Sequence, residues 1–219
     1  IKRKVIPCFL WITEPSCGQV KGERKVMTKE RAQQALAQQF PNQKLVFGEG
    51  EGRIMLIGEA PGGEEEAAGR PFVGKAGKNL NGFLHQIGLE RSALYVTNVV
   101  KFRPTRLSPK TNRPINRPPS QKEIRAFLPF LHQEIAFQQP RLVITLGNVA
   151  LQAVCLPEKV VIGQFHGQML RREGFWLFPL YHPAAVIYDR NLLSVYEADL
   201  QVLKEWLHQR KDELLYCKE

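Results

Sequence analysis

Three polar clusters in this chain follow directly on short apolar runs, and each brings a side chain able to do chemistry. Ile54–Ile57 runs into Gly58-Glu59-Ala60-Pro61-Gly62, Tyr95–Val96 into Thr97-Asn98, and Leu177–Leu180 into Tyr181-His182-Pro183-Ala184-Ala185. An apolar run that ends in Gly, Pro or a polar side chain has the pattern of a buried parallel strand feeding a loop. In open α/β sheets, ligands bind outside the carboxyl ends of such strands. A carboxylate, an amide and an imidazole, from Glu59, Asn98 and His182, are therefore expected to converge on one pocket.

The elements that must position them are legible in the hydrophobic pattern. Gln33–Phe40 follows a helical pattern, Leu45–Phe47 a short strand, and Arg53–Ile57 the first central strand. Ala76–Ile87 places Leu80, Phe83, Leu84 and Ile87 on one helical face, and Gly88 ends it. The strand Leu94–Lys101 leads into a proline-rich loop. Ser120 with Glu123 three residues on is a capping box that opens the next helix. Leu142–Leu146, a helix from Gly147 to about Leu156, Trp176–Leu180 and an amphipathic helix over Asn191–Leu215 complete the pattern. Alternating strands and helices predict an α/β fold, a three-layer α/β/α sandwich around a mostly parallel sheet. Residues 28–219 are expected to form a single domain, and residues 1–27 show no periodicity that assigns them.

Composition narrows the partners. With 31 Lys+Arg against 21 Asp+Glu, the net charge is +10, which suits a polyanion. Lys101, Arg103, Arg106, Lys110, Arg113, Arg117, Lys122 and Arg125 fall in one stretch opposed only by Glu123. Five prolines make its middle a loop, which has the character of a phosphate track; a merely solvated loop is the alternative. No apolar stretch approaches the roughly 20 residues of a membrane span, and a cytoplasmic monomer is expected. Cys8, Cys17, Cys155 and Cys217 match no zinc or CxxC spacing, and no metal site is expected.

Four segments together resemble the family 4 uracil-DNA glycosylases: Gly58-Glu59-Ala60-Pro61-Gly62, Gly69-Arg70-Pro71-Phe72-Val73-Gly74, Thr97-Asn98-Val99-Val100-Lys101 and His182-Pro183-Ala184-Ala185. The resemblance runs from about Leu45 to Leu207. It implies an enzyme that extrudes uracil from DNA and hydrolyses the bond between N1 and the sugar C1′. Extrusion costs a few kcal/mol and is followed by reading of the base edge and stacking on an aromatic ring.

The same resemblance distributes the roles. Phe72 would stack on the flipped uracil. Asn98, with both a donor and an acceptor, would pair with N3–H and O4. His182 would donate to O2 as charge builds there. Glu59 and the turn Ala60–Gly62 would place the attacking water, and Gly58 and Ala60 would border the uracil. Glu65 is expected to crowd C5 and reject thymine's methyl; a solvated acidic run is its alternative. Ala185 and Val186 fall where relatives contact DNA, with Val186 as an apolar wedge in the vacated stack or, alternatively, a packing residue against the last helix. Lys101, Arg103, Arg106, Arg113 and Arg117 would meet phosphates.

The chain also departs from that family. Its members usually hold a [4Fe–4S] cluster on four cysteines, and here two of those positions are Phe102 and Phe127. Clusters need thiolates. No cofactor is expected, and the two phenyl rings are expected to pack together instead. One relative traps uracil-DNA through a loop histidine, where this chain has Asn116, so no covalent product is expected. Two other readings remain at this point: a paralogue that binds DNA or damaged bases without turnover, and an enzyme of free nucleotides.

Overall fold

The computed structural model of the chain describes residues 28–210. Five strands form one sheet in the order β2-β1-β5-β7-β6. Here β1 is Ile54–Gly58, β2 Leu94–Asn98, β5 Leu142–Leu146, β6 Leu170–Arg171 and β7 Trp176–Leu180. All neighbours run parallel except the edge strand β6, which lies antiparallel to β7. Every residue of β1, β2 and β5 is buried, as continuous apolar runs require when helices cover both faces.

Strand alternation divides the core in two. Ile54, Leu56, Leu94, Val96 and Phe178 face a layer made by helices α3 (Lys75–Gln86), α7 (Pro183–Tyr188) and α8 (Leu192–Gln209). Met55, Ile57, Tyr95, Val143 and Leu177 face α1 (Lys29–Gln39), α4 (Gln121–Gln138) and α5 (Asn148–Cys155). This is the three-layer sandwich expected from the pattern. Fully burying each such side chain contributes about 1.5–3 kcal/mol.

The helix boundaries follow from local chemistry. Ser120 Oγ accepts the Glu123 N–H at 3.3 Å, and Glu123 Oε2 accepts the Ser120 N–H at 2.6 Å, completing the capping box of α4. Gly88, at φ 73°, closes α3, and the Leu89 N–H returns to the Leu84 carbonyl at 2.9 Å. Helix α1 begins at Lys29, four residues ahead of expectation, because Thr28 caps it by accepting the Arg31 N–H.

Other boundaries differ for tertiary reasons. Leu45–Phe47 is not a strand: Val46 gives one hydrogen bond to the Lys101 carbonyl, and Glu49 instead bridges Val96. Strand β2 stops at Asn98 rather than Lys101, since the N–H groups of Val99 and Val100 turn back to the carbonyls of Gly58 and Glu59. The basic loop contains a short antiparallel hairpin, β3 (Thr105–Leu107) with β4 (Pro114–Asn116). The short elements α2 (Gly63–Ala68), α6 (Ile162–Phe165), β6 and α7 had no periodicity long enough to announce them. The last residues of the expected C-terminal helix, and the segment 1–27, lie outside the described residues. Among the described residues, no helix is long and apolar enough to cross a membrane.

Candidate active site

Strands β1 and β2 are in register so that Gly58 lies opposite Asn98. A β-carbon on Gly58 would collide with both the Phe72 ring and the Asn98 carboxamide. Glycine at this position is therefore what lets the two side chains meet. Asn98 is 2 % exposed, and among the described residues its carboxamide makes no hydrogen bond. A buried amide with open donor and acceptor capacity is built for a ligand edge.

His182 arrives from the far side of the sheet, two residues past the end of β7. Its ring lies 6.2 Å from that of Phe72, centroid to centroid, inclined at 30°. Gly147, at φ 85°, follows β5 and keeps the neighbouring turn free of a side chain that would press on the His182 β-carbon. The Ala184 N–H donates to His182 Nδ1 at 3.1 Å. A nitrogen that accepts cannot also carry the proton, so the neutral ring holds its hydrogen on Nε2. Burial lowers the imidazole pKa below its usual 6.5, against the opposing charge of Glu65. The ring is thus a neutral Nε2–H donor.

These groups line a cavity of about 550 Å³, together with Glu59, Ala60, Glu65, Asn116 and Tyr188. A second cavity, of about 500 Å³, opens by Ile54 and Ile87 at the amino end of β1, away from the strand carboxyl ends, with Gln201, Lys204, Glu205 and His208 of α8 on its wall. Half-buried Glu59 sits at the strand end with its pKa raised by burial. Glu65 does not run free in solvent: its two oxygens accept the N–H groups of Gly62 at 3.0 Å and Gly74 at 2.9 Å. It braces both ends of the loop that carries Phe72, while its charge still faces His182.

Two expected DNA contacts lie elsewhere. Lys101 is wholly buried, its ammonium bound to Glu134 Oε2, Thr97 Oγ1 and the Asn98 carbonyl, each at 2.6 Å. It cannot reach a phosphate, because leaving that network would strand a buried carboxylate. Val186 is 8 % exposed within the core that includes Tyr196 and Leu200, so it packs rather than projects. Ala185 commits its N–H to the His182 carbonyl. Arg103 pairs with Glu66 at 3.2 Å and Arg117 with Glu123 at 2.6 Å, both half-buried beside the cavity. Arg106 and Arg113 are exposed on the hairpin.

A family model for the uracil DNA glycosylase superfamily matches residues 45–206, spanning every element of the pocket. The chain belongs to this superfamily. It is 38 % identical over 170 residues to a type-4 uracil-DNA glycosylase of Sulfurisphaera tokodaii, covering 73 % of each chain. To the type-4 uracil-DNA glycosylase of Saccharolobus solfataricus it is 36 % identical over 188 residues, 78 % of this chain and 81 % of that one. A type-4 enzyme of Pyrobaculum aerophilum is 38 % identical over 164 residues, 71 % of this chain and 79 % of its own.

The iron–sulfur cluster that the family 4 resemblance brings does not suit the residues at its expected ligand positions. Phe102 and Phe127 meet at 5.7 Å between centroids, and Phe40 stacks on Phe127 at 4.6 Å. Phe102 and Phe127 stand at two of those positions, and a phenyl ring cannot ligate iron. Cys155, the one cysteine among the described residues, is buried under Arg172, whose Nη2 donates to its Sγ at 2.7 Å. Cys8, Cys17 and Cys217 lie outside the described residues. Among those described, no group of three or more His, Cys, Asp or Glu side chains is placed to hold a metal.

The sequence reasoning missed Tyr188, which rims the cavity at 89 % exposure, and Gly147 beside His182. Their signals were an aromatic residue just past the His182-Pro183-Ala184-Ala185 run, and a glycine between a strand and a helix.

Proposed function

We propose that this protein is a monofunctional uracil-DNA glycosylase acting in base excision repair. The observation that carries the reading is the meeting of Phe72, Asn98 and a neutral, Nε2-protonated His182 in one cavity at the strand ends. Extruded uracil stacks on Phe72 while its N3–H and O4 pair with the oxygen and nitrogen of the Asn98 carboxamide. The N1–C1′ bond breaks, its electron pair staying on the base. Charge gathers on O2, where the His182 Nε2–H donates. A preorganised donor of this kind is worth about 10²–10³ in rate. Water held by Glu59 and the Gly58–Gly62 turn adds to C1′ and gives up a proton to the Glu59 carboxylate, the uracil anion takes up a proton in turn, and an abasic sugar and free uracil result without cutting the backbone.

The DNA around the site lies along the hairpin, with Arg106 and Arg113 supplying exposed charge and Arg103 and Arg117 closing the cavity side. The projecting residue that fills the vacated stack is Tyr188 rather than Val186, on exposure alone. Glu65 forms the wall that excludes a C5 methyl by holding the Phe72 loop closed. The reaction needs no metal, and the Phe40–Phe102–Phe127 cluster takes the structural place of an iron–sulfur centre. We take the protein to act on DNA as a cytoplasmic monomer.

The decisive experiment uses a labelled oligonucleotide with one uracil, single- and double-stranded, followed by alkali. Alkali-dependent scission that falls at least about a hundredfold in His182→Ala is expected. Salt-sensitive DNA binding with no scission would overturn the reading, and so would release of uracil from free dUMP but not from DNA. Iron in the purified protein would overturn the cofactor assignment.

A further inference from the structure

We propose that Arg91 is a positioning residue that sets the stacking face of the pocket, acting through the backbone of Phe72. The inference rests on the reading of Phe72 as the ring that stacks on the extruded base.

Phe72 has φ 52°, in the left-handed region that a residue with a β-carbon rarely adopts. Such a conformation persists only where the surroundings over-determine it, and such sites cluster at ligand clamps. Here the determining group is a guanidinium. Arg91 Nη2 donates to the Pro71 carbonyl at 2.5 Å, and Nη1 donates to the Phe72 carbonyl at 3.1 Å. Two successive carbonyls are gripped by one planar fork. On the other side Gly77 allows close approach, since a β-carbon there would collide with the Phe72 carbonyl.

The clamp is anchored on the strand that carries Asn98. Arg91 opens the 3₁₀ turn Arg91–Ala93 that feeds directly into β2. Its counter-charge is Glu49, whose Oε1 accepts from Arg91 Nη2 at 3.1 Å and whose Oε2 accepts from Arg70 Nε at 2.8 Å. Glu49 itself is tied to β2: its N–H donates to the Val96 carbonyl at 3.0 Å, and its carbonyl accepts the Val96 N–H at 2.8 Å. Val96 is two residues before Asn98. The face-reading ring and the edge-reading amide come from distant parts of the chain, yet Arg91 and Glu49 fasten both to one strand. Their relative position is then fixed before any ligand arrives, which is preorganisation. A lysine can supply the charge but not the two-point grip.

The test uses the full chain with Arg91→Lys, Phe72→Ala and the double variant. Two functional readouts are inhibition by free uracil and kcat/KM on a uracil oligonucleotide. A third, independent of activity, is amide hydrogen exchange over residues 70–77. Arg91→Lys is expected to weaken uracil inhibition and lower kcat/KM by about tenfold each, within the range for residues of one network. In the Phe72→Ala background the same substitution is expected to change neither by more than about twofold, since residues acting through one another are non-additive. Exchange over 70–77 should quicken while the remaining strands keep wild-type protection. Additive losses, or wild-type uracil inhibition in Arg91→Lys, would overturn the inference. A wild-type chain that releases no uracil from DNA refutes the glycosylase reading instead, and unchanged exchange in Arg91→Lys still refutes the clamp by itself.

Discussion

Lys101 and Glu134 meet at 2.6 Å with 0 % and 3 % of their side chains exposed, and the same ammonium binds the carbonyl of Asn98. A charge expected on the DNA face is thus bound beneath Asn98, the residue proposed to read the base edge. Burial lowers the lysine's pKa while Glu134 opposes that shift. Tyr95 and Thr97 hydroxyls donate to the same carboxylate, so every member of the group has a partner. Removing one partner of such a pair leaves an uncompensated buried charge.

Lys101→Met is accordingly expected to cost about 3–5 kcal/mol of stability, read from urea denaturation midpoints. Adding Glu134→Gln should restore most of that loss, because the amide oxygen still accepts from Tyr95 and Thr97. A Lys101→Met protein within about 1 kcal/mol of wild type would assign the pair the weight of a surface ion pair.

The pH profile of kcat/KM follows from two opposed burial effects. In the proposed reaction His182 acts as the neutral ring, its pKa lowered below 6.5 by burial, and Glu59 as the carboxylate, its pKa raised above 4.5 by burial. Activity should hold above pH 6.5 and fall on acidification as both groups take up protons. Glu59→Gln should make that acid limb less steep, since one titrating group is gone. The linkage sign for His182 agrees: the unfolded chain binds the proton first, so this group erodes stability as pH drops below 6.5. An activity maximum at acid pH would contradict a neutral imidazole donor.

Gly58→Ala should abolish excision while leaving the fold intact. The added methyl meets the Phe72 ring and the Asn98 amide, and both must retreat from the base position. Loss of about 10²-fold or more is expected, as misplacement of about 1 Å near a reacting group brings. The melting temperature should fall only a few degrees; retained activity would mean that the base lies elsewhere.

Tyr188→Ala separates wedge from pocket. A wedge offsets unstacking of a duplex and has less to do in a single strand. Excision from double-stranded DNA is expected to fall about tenfold, and excision from single-stranded DNA to change by less than about twofold. Equal losses on both substrates would make Tyr188 a pocket residue instead.

Much of this protein was legible as a string because its strands are buried on both faces. Ile54–Ile57 and Trp176–Leu180 are apolar throughout and Leu142–Leu146 is so but for Thr145, and the glycine or polar residue that follows each run marks where the strand gives way to a loop. Capping boxes and cap glycines are local, so Ser120 with Glu123 and Gly88 after Ile87 declared themselves without any long-range contact. Glu59, Asn98 and His182 were readable as candidates for the same reason, each standing at or just past a strand end, whereas Phe72 rested on the family resemblance of Gly69–Gly74.

What tertiary structure alone decided is which charged and apolar residues face inward. Lys101 has the same composition signal as Arg106, yet one meets Glu134 across two layers and the other faces solvent. Val186 and Tyr188 lie two apart on a short helix, and only its docking on α8 buries the first and exposes the second. The left-handed turn at Phe72 and the grip of Arg91 on it depend on a group distant in sequence and on a backbone angle that no periodicity encodes. Sequence pattern settles burial along an element. Partner choice between elements is settled only when strand register brings the groups within hydrogen-bond reach.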